Sequence, residues 1–101
     1  MSRAVLVALA RIDLRIPGVR SLKEKRRVVR TLTAALRSRF PVSVAEVDHQ
    51  DLWQRATIGV ALVGGEGHHL RRVLHEVQRT VERWAEVEVL SVEVDLLAPE
   101  S

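Results

Sequence analysis

Cysteine, asparagine and tyrosine are all absent from these 101 residues. Without cysteine, disulfides, thiolate chemistry and Cys-ligated zinc or iron–sulfur centres are excluded. Without asparagine, the chain has lost one of the residues that form tight hairpin turns. Long hydrophobic runs are scarce as well. The stretch from Ala4 to Ala10 is apolar but too short to cross a bilayer, and it passes directly into Arg11, Asp13 and Arg15 without a small-residue cleavage pattern. A soluble cytoplasmic protein is the expectation. At 47% hydrophobic residues, the chain can bury a core as one domain over residues 1–101 without covalent or metal staples.

Acid is the other scarcity, and it is local. Residues 1–40 hold 11 Lys+Arg against 2 Asp+Glu, a balance of +9, whereas residues 41–101 hold 5 against 11, a balance of −6. Between Arg20 and Arg39, eight cations (Arg20, Lys23, Lys25, Arg26, Arg27, Arg30, Arg37 and Arg39) surround a single acid, Glu24. Such a split favours a polyanionic partner.

Periodicity supplies the elements. Leu6, Ala8, Ala10, Ile12, Leu14 and Ile16 alternate with Arg11, Asp13 and Arg15, which predicts a strand over 3–16 closed by Pro17-Gly18. Ser21 and Glu24 form a capping-box pair that starts a helix, and Pro41 stops it. Residues 42–48 and 55–63 read as the strands of a hairpin. A second helix begins near Gly67 and repeats Leu70, Val73, Leu74, Val77, Val81 and Trp84. In the last strand, 86–97, the apolar phase changes between Val89 and Val92, so a bulge is expected near Leu90. The order β-α-β-β-α-β with right-handed crossovers predicts a ferredoxin-like α+β fold. Its four-stranded antiparallel sheet has order 4-1-3-2 and carries both helices on one face.

Advancing about 100° per residue from Leu22 places Arg26, Arg37, Arg30, Lys23 and Arg27 between roughly 40° and 140°, opposite the apolar stripe at roughly 220° to 360°. With Arg20 these form a candidate nucleic-acid-binding stripe: Arg20, Lys23, Arg26, Arg27, Arg30 and Arg37. Cations in the first turn oppose the helix dipole, so their placement marks function rather than helix stability. Lys25 falls inside the apolar stripe, where it either snorkels to water or pairs with Glu46 or Asp48.

The open face of the sheet offers Val5, Val7, Leu9, Ala61 and Val63 and no aromatic side chain. It therefore does not stack bases as an RNA-recognition sheet does, and it is a candidate homodimer face. Residues 48–55 join two strands without Gly, Pro or Asn, so the connection is long or held by its side chains. Three readings apply to His49, Asp51, Trp53 and Arg55. They are an acid–base set of His49, Asp51 and Arg55; a structural network with Trp53 capping the core edge; or a recognition site with the aromatic beside an Arg. His68, His69 and His75 read as surface histidines beside Arg71 and Arg72 rather than metal ligands. Gly64-Gly65-Glu66-Gly67 matches no phosphate-binding fingerprint and reads as a loop.

Two segments, Ser21-Leu22-Lys23-Glu24-Lys25-Arg26-Arg27-Val28 and Val42 through Ala56, resemble the signature of the YlxP-like family. These are small bacterial proteins that share a domain of unknown function. The resemblance runs from about residue 4 to residue 96, and the Gly64–His69 loop departs from the family's more polar version. It implies a ferredoxin-like fold, no established enzyme activity, no active site to carry over and a setting near ribosome maturation and translation initiation. The expectation is thus a non-enzymatic, cofactor-free protein, associated with RNA or the ribosome through its first helix. The alternative is a dimeric regulatory or scaffold module whose basic helix meets an acidic protein. A hydrolase built on Asp48–Arg55 ranks third, because acylphosphatase-type chemistry uses an Asn that this chain lacks.

Overall fold

Alternation and helical spacing resolve into six elements in the computed structural model, which describes residues 5–98. They are β1 (Leu6–Arg15), α1 (Leu22–Arg39), β2 (Ser43–Asp48), β3 (Arg55–Gly64), α2 (Gly67–Glu82) and β4 (Glu88–Leu97). Positions 3 and 4 of the expected first strand lie outside the described residues. The sheet order is β2-β3-β1-β4 with every pairing antiparallel, which is the expected 4-1-3-2 read from the other edge. This is the ferredoxin-like α+β fold.

The period-two pattern of β1 decides which face is covered. Ala8, Ala10, Ile12 and Leu14 are buried beneath the helices, while Leu9, Arg11 and Arg15 stay exposed on the other face. α1 contributes Val28, Val29, Leu32 and Leu36 to this core, and α2 contributes Leu70, Leu74, Val77 and Val81. Each such side chain stabilises the fold by about 1.5–3 kcal/mol relative to exposure. Leu6 is only partly buried and packs against the core from its edge.

Two bulges retune the sheet. In β4, Asp13 pairs with Ser91 and Leu14 with Val89, so Leu90 is the extra residue, at the place where the apolar phase changes. In β2, Glu46 pairs with Ile58 and Asp48 with Thr57, so Val47 is the extra residue. The side chain of Val47 lies over Gly59, where an added Cβ would meet its Cγ1 at 3.2 Å. This second bulge sets the polar geometry described next.

Candidate nucleic-acid interface

The N-terminus of α1 is built from local hydrogen bonds. Ser21 is extended, and its Oγ accepts from the Glu24 N–H at 3.1 Å. Glu24 returns the contact one residue further out, with Oε2 accepting from the Arg20 N–H at 2.5 Å. The only acid in the helix is thereby directed to the cap and not toward the cations. Lys23, Arg26, Arg27, Arg30 and Arg37 are all exposed, as is Arg20 ahead of the helix. Arg27 pairs with Glu86 at 3.2 Å, and Arg37 donates to the Val44 carbonyl at 2.9 Å. Among the described residues, Lys23, Arg26 and Arg30 enter no ion pair. Lys23, Glu24, Arg27, Arg30 and Thr31 line a shallow groove of about 480 Å³ along the helix.

Lys25 takes the second of its two readings. Its side chain is 1% exposed, and the ammonium lies 2.8 Å from Glu46 Oε2, a charge contact outside hydrogen-bond alignment. It also donates to the His49 carbonyl oxygen at 2.5 Å. The Val47 bulge selects Glu46 over Asp48. Glu46 stays in phase with the core-facing Val44, whereas Asp48 is shifted by one residue to the open face. There Asp48 Oδ2 accepts from Arg11 at 3.3 Å.

The connection over 49–54 is held by side chains and one unusual backbone angle. His49 adopts φ 61°, the left-handed conformation that glycine or asparagine would supply in a shorter turn. Asp48 Oδ1 accepts from the His49 N–H at 2.8 Å, and the Leu52 N–H closes on the His49 carbonyl at 3.1 Å. On the other leg, Gln54 Nε2 donates to the carbonyls of Pro17 and Val19 at 3.3 and 3.2 Å, and the Ile16 N–H reaches the Gln54 carbonyl at 2.9 Å.

Trp53 does not cap the core edge. It is 52% exposed, in a loop whose two legs are tied to α1 and to the segment that precedes it. The acid–base set is not assembled either, since no hydrogen bond or ion pair links His49, Asp51 and Arg55 among the described residues. His49 Nδ1 instead contacts Thr57 Oγ1 at 2.8 Å. Arg55 is partly buried opposite Arg15. Arg15 is engaged by Glu88 through two hydrogen bonds of 3.1 and 3.3 Å, whereas the buried Arg55 Nε has no partner among the described residues.

A polar cluster that single-strand reading missed crosses the open face. Thr57, 0% exposed, donates to Asp13 Oδ1 at 2.5 Å, and Ser91 donates to Asp13 Oδ2 at 3.0 Å. Because the Thr57 proton is directed at Asp13, its oxygen accepts from the His49 ring and Nδ1 carries the hydrogen. The Thr57 hydrogen bond, helped by Ser91 and the charge of Arg11, holds Asp13 below the ordinary 3.8 despite desolvation. Asp48 is lowered too, first by the His49 N–H and then by Arg11. The cluster follows from the register Asp48–Thr57–Asp13–Ser91 across four strands, and the Leu90 bulge was the one visible signal for it.

Beyond this cluster the open face carries an apolar patch. Val5, Leu9 and Val63 are exposed, Val63 at 68%, with Val7 and Ala61 half-buried among them. Leu97 and Val47 extend the patch. A shallow groove of about 490 Å³ runs across it between Leu9, Val47, Gly59 and Ala61, rimmed by Arg11, Glu93 and Asp95. On the helical layer, His68, His69 and His75 are exposed, as are Arg71, Arg72 and Arg79. No helix among the described residues is long and apolar enough to cross a membrane.

This fold, with a basic first helix tied to a side-chain-braced hairpin, has relatives. Residues 7–94 match the model of a family described as protein of unknown function (DUF503). The uncharacterized protein YlxP of Bacillus subtilis (strain 168) is 30% identical over 83 residues, which cover 82% of this chain and 90% of that protein. The chain belongs to this YlxP-like family of unknown function. Among solved structures, the de novo designed protein Foldit4 is 14% identical with a TM-score of 0.48, over 96% of this chain and 98% of that one.

Proposed function

We propose that this chain binds structured RNA, ribosomal RNA above all, by laying phosphates along the exposed face of α1. The observation that carries the reading is the trio Lys23, Arg26 and Arg30, which enter no ion pair among the described residues, flanked by Arg27 and Arg37 on a helix whose single acid is diverted into its own cap. The Arg27–Glu86 pair is exposed on both sides, and such pairs contribute at most about 1 kcal/mol, so a phosphate can displace Glu86. Besides Glu24, the exposed positions between the cations are Thr31, Ala34 and Ser38, with no large apolar side chain to anchor a protein partner. That composition favours a polyanion over an acidic protein, and the translation-linked setting that the family resemblance implies favours RNA among polyanions. The test is RNA titration of the wild type against Arg26→Glu/Arg27→Glu/Arg30→Glu. These side chains point away from the core, so the variant is expected to keep its fold and lose binding to all RNAs alike. Equal binding by both proteins would refute the reading.

The open sheet face supports a second element of the proposal, a two-fold homodimer. Val5, just ahead of β1, and Val7, Leu9, Ala61 and Val63 form an apolar area on the paired strands β1 and β3, and the groove across it is also lined by Arg11, its cross-strand partner Glu93, and Asp95. A two-fold axis would bury this area against its own copy. The sheets would pack back to back, leaving both α1 stripes on the outside.

A further inference from the structure

We infer that the 49–54 loop is a base-stacking arm, in which Trp53 receives an unpaired base of the same RNA whose phosphates follow α1. This inference rests on the α1 reading and adds a second kind of contact to it. Three observations support it. First, Trp53 and Leu52 stand 52% and 49% exposed at the tip of a loop in a chain that has very few aromatic residues. Second, the loop is braced and not loose. Lys25, a residue of α1 itself, holds the His49 carbonyl, and Gln54 holds the carbonyls of Pro17 and Val19 in the segment leading to the helix cap. The loop backbone is therefore anchored beside the N-terminal end of α1, and little backbone freedom is lost when a ligand docks. Third, two residues beyond Trp53 lies Arg55, whose buried Nε has no partner among the described residues and whose cross-strand neighbour is another arginine, Arg15. Arg15 is engaged by Glu88, so Arg55 is the cation of this corner that has no acid paired with it among the described residues.

An exposed aromatic in the same region as cations that enter no ion pair among the described residues matches the chemistry of single-stranded nucleic acid, in which bases stack while phosphates are neutralised. The open sheet face offers no aromatic of its own, so Trp53 supplies what the sheet does not. An acidic protein partner would use the cations but would gain nothing specific to a flat aromatic ring from its carboxylates.

The experiment uses the full chain at low salt and three probes: a single-stranded RNA of about ten nucleotides, an abasic oligomer with the same number of phosphates, and poly-glutamate of equal charge. The wild type is expected to bind the base-bearing RNA roughly 5- to 150-fold more tightly than the abasic oligomer. Trp53→Ala should bring that ratio close to one without changing abasic affinity, and Trp53→Phe should retain most of the preference. Because Trp53 lies outside the core, Trp53→Ala should unfold at the wild-type temperature, which separates lost stacking from lost fold. A wild-type ratio near one, or an unchanged ratio in Trp53→Ala, overturns the arm while leaving the α1 reading intact. Poly-glutamate binding weakened by Trp53→Ala as much as RNA binding makes the loop a protein contact and also overturns it. Failure of the wild type to bind either oligomer overturns the arm, and if structured RNA also fails to bind, the α1 reading falls with it.

Discussion

Replacing Lys25 with Met tests how the hairpin is joined to α1. The substitution keeps the length and apolar stem of the side chain and removes only the ammonium, which is 1% exposed between Glu46 and the His49 carbonyl. Breaking a buried pair from one side costs roughly 3–5 kcal/mol, because the remaining charge is left without compensation. Here the cost falls toward the lower part of that range or below it. The Glu46 side chain is 19% exposed and regains some hydration, and the His49 carbonyl keeps its bond from Leu52. The expected loss is therefore about 2–4 kcal/mol at neutral pH. For a chain of this length, that lowers the unfolding midpoint by about 10–20 °C. Glu46→Gln alone should also destabilise, while Lys25→Met/Glu46→Gln should recover much of the loss, since removing both charges ends the desolvation penalty. Denaturant unfolding of the four proteins gives the coupling energy. Additive effects, with the double variant as unstable as the sum of the singles, would refute the buried pair as the tie between hairpin and helix.

Thr57→Val removes a buried hydroxyl that donates to Asp13, with an expected cost of about 1–3 kcal/mol at neutral pH. Asp13 is held below 3.8, so its carboxylate stabilises the fold above that value, and the contribution is lost as pH falls through the lowered one. The Thr57→Val deficit should therefore shrink in acid unfolding curves once Asp13 is protonated in both proteins, and a deficit independent of pH would contradict the assignment. Leu9→Glu places a carboxylate in the centre of the proposed dimer face and is expected to weaken self-association by on the order of 10³-fold. Sedimentation should show a wild-type dimer and a monomeric variant, and identical monomers would remove the dimer from the account.

Most of the architecture was legible because it depends on short-range periodicity. The alternation of β1, the Ser21–Glu24 cap and the phase change near Leu90 are each contained within a few residues, and each stands where the pattern placed it. The Val47 bulge was not legible. Glu46 and Asp48 share a phase in sequence, and only pairing with β3 puts them on opposite faces, which is why the partner of Lys25 stayed open between them. The same dependence on register hid the cluster of Thr57, Asp13 and Ser91, whose members lie on three strands. Trp53 was misplaced for another reason. Its size and apolarity suit a core edge, but the two legs of the loop are held from elsewhere in the fold, one by Lys25 donating to the His49 carbonyl and the other by Gln54 donating to the Pro17 and Val19 carbonyls. The Arg27–Glu86 contact joins residues far apart in sequence and no local pattern reports it.

The salt dependence of RNA binding tests the central claim most directly, because it counts phosphates neutralised by the stripe. Lys23, Arg26 and Arg30 are without ion pairs among the described residues, and Arg27 is held only by an exposed acid, so four phosphate contacts are expected. Counterion release then gives a slope of about −3 to −4 in log affinity against log salt for structured RNA, and each stripe cation removed singly should reduce it by about one unit. A slope near zero, or a wild-type slope that survives removal of Arg26 and Arg30, would contradict the assignment of α1 as the phosphate-binding face.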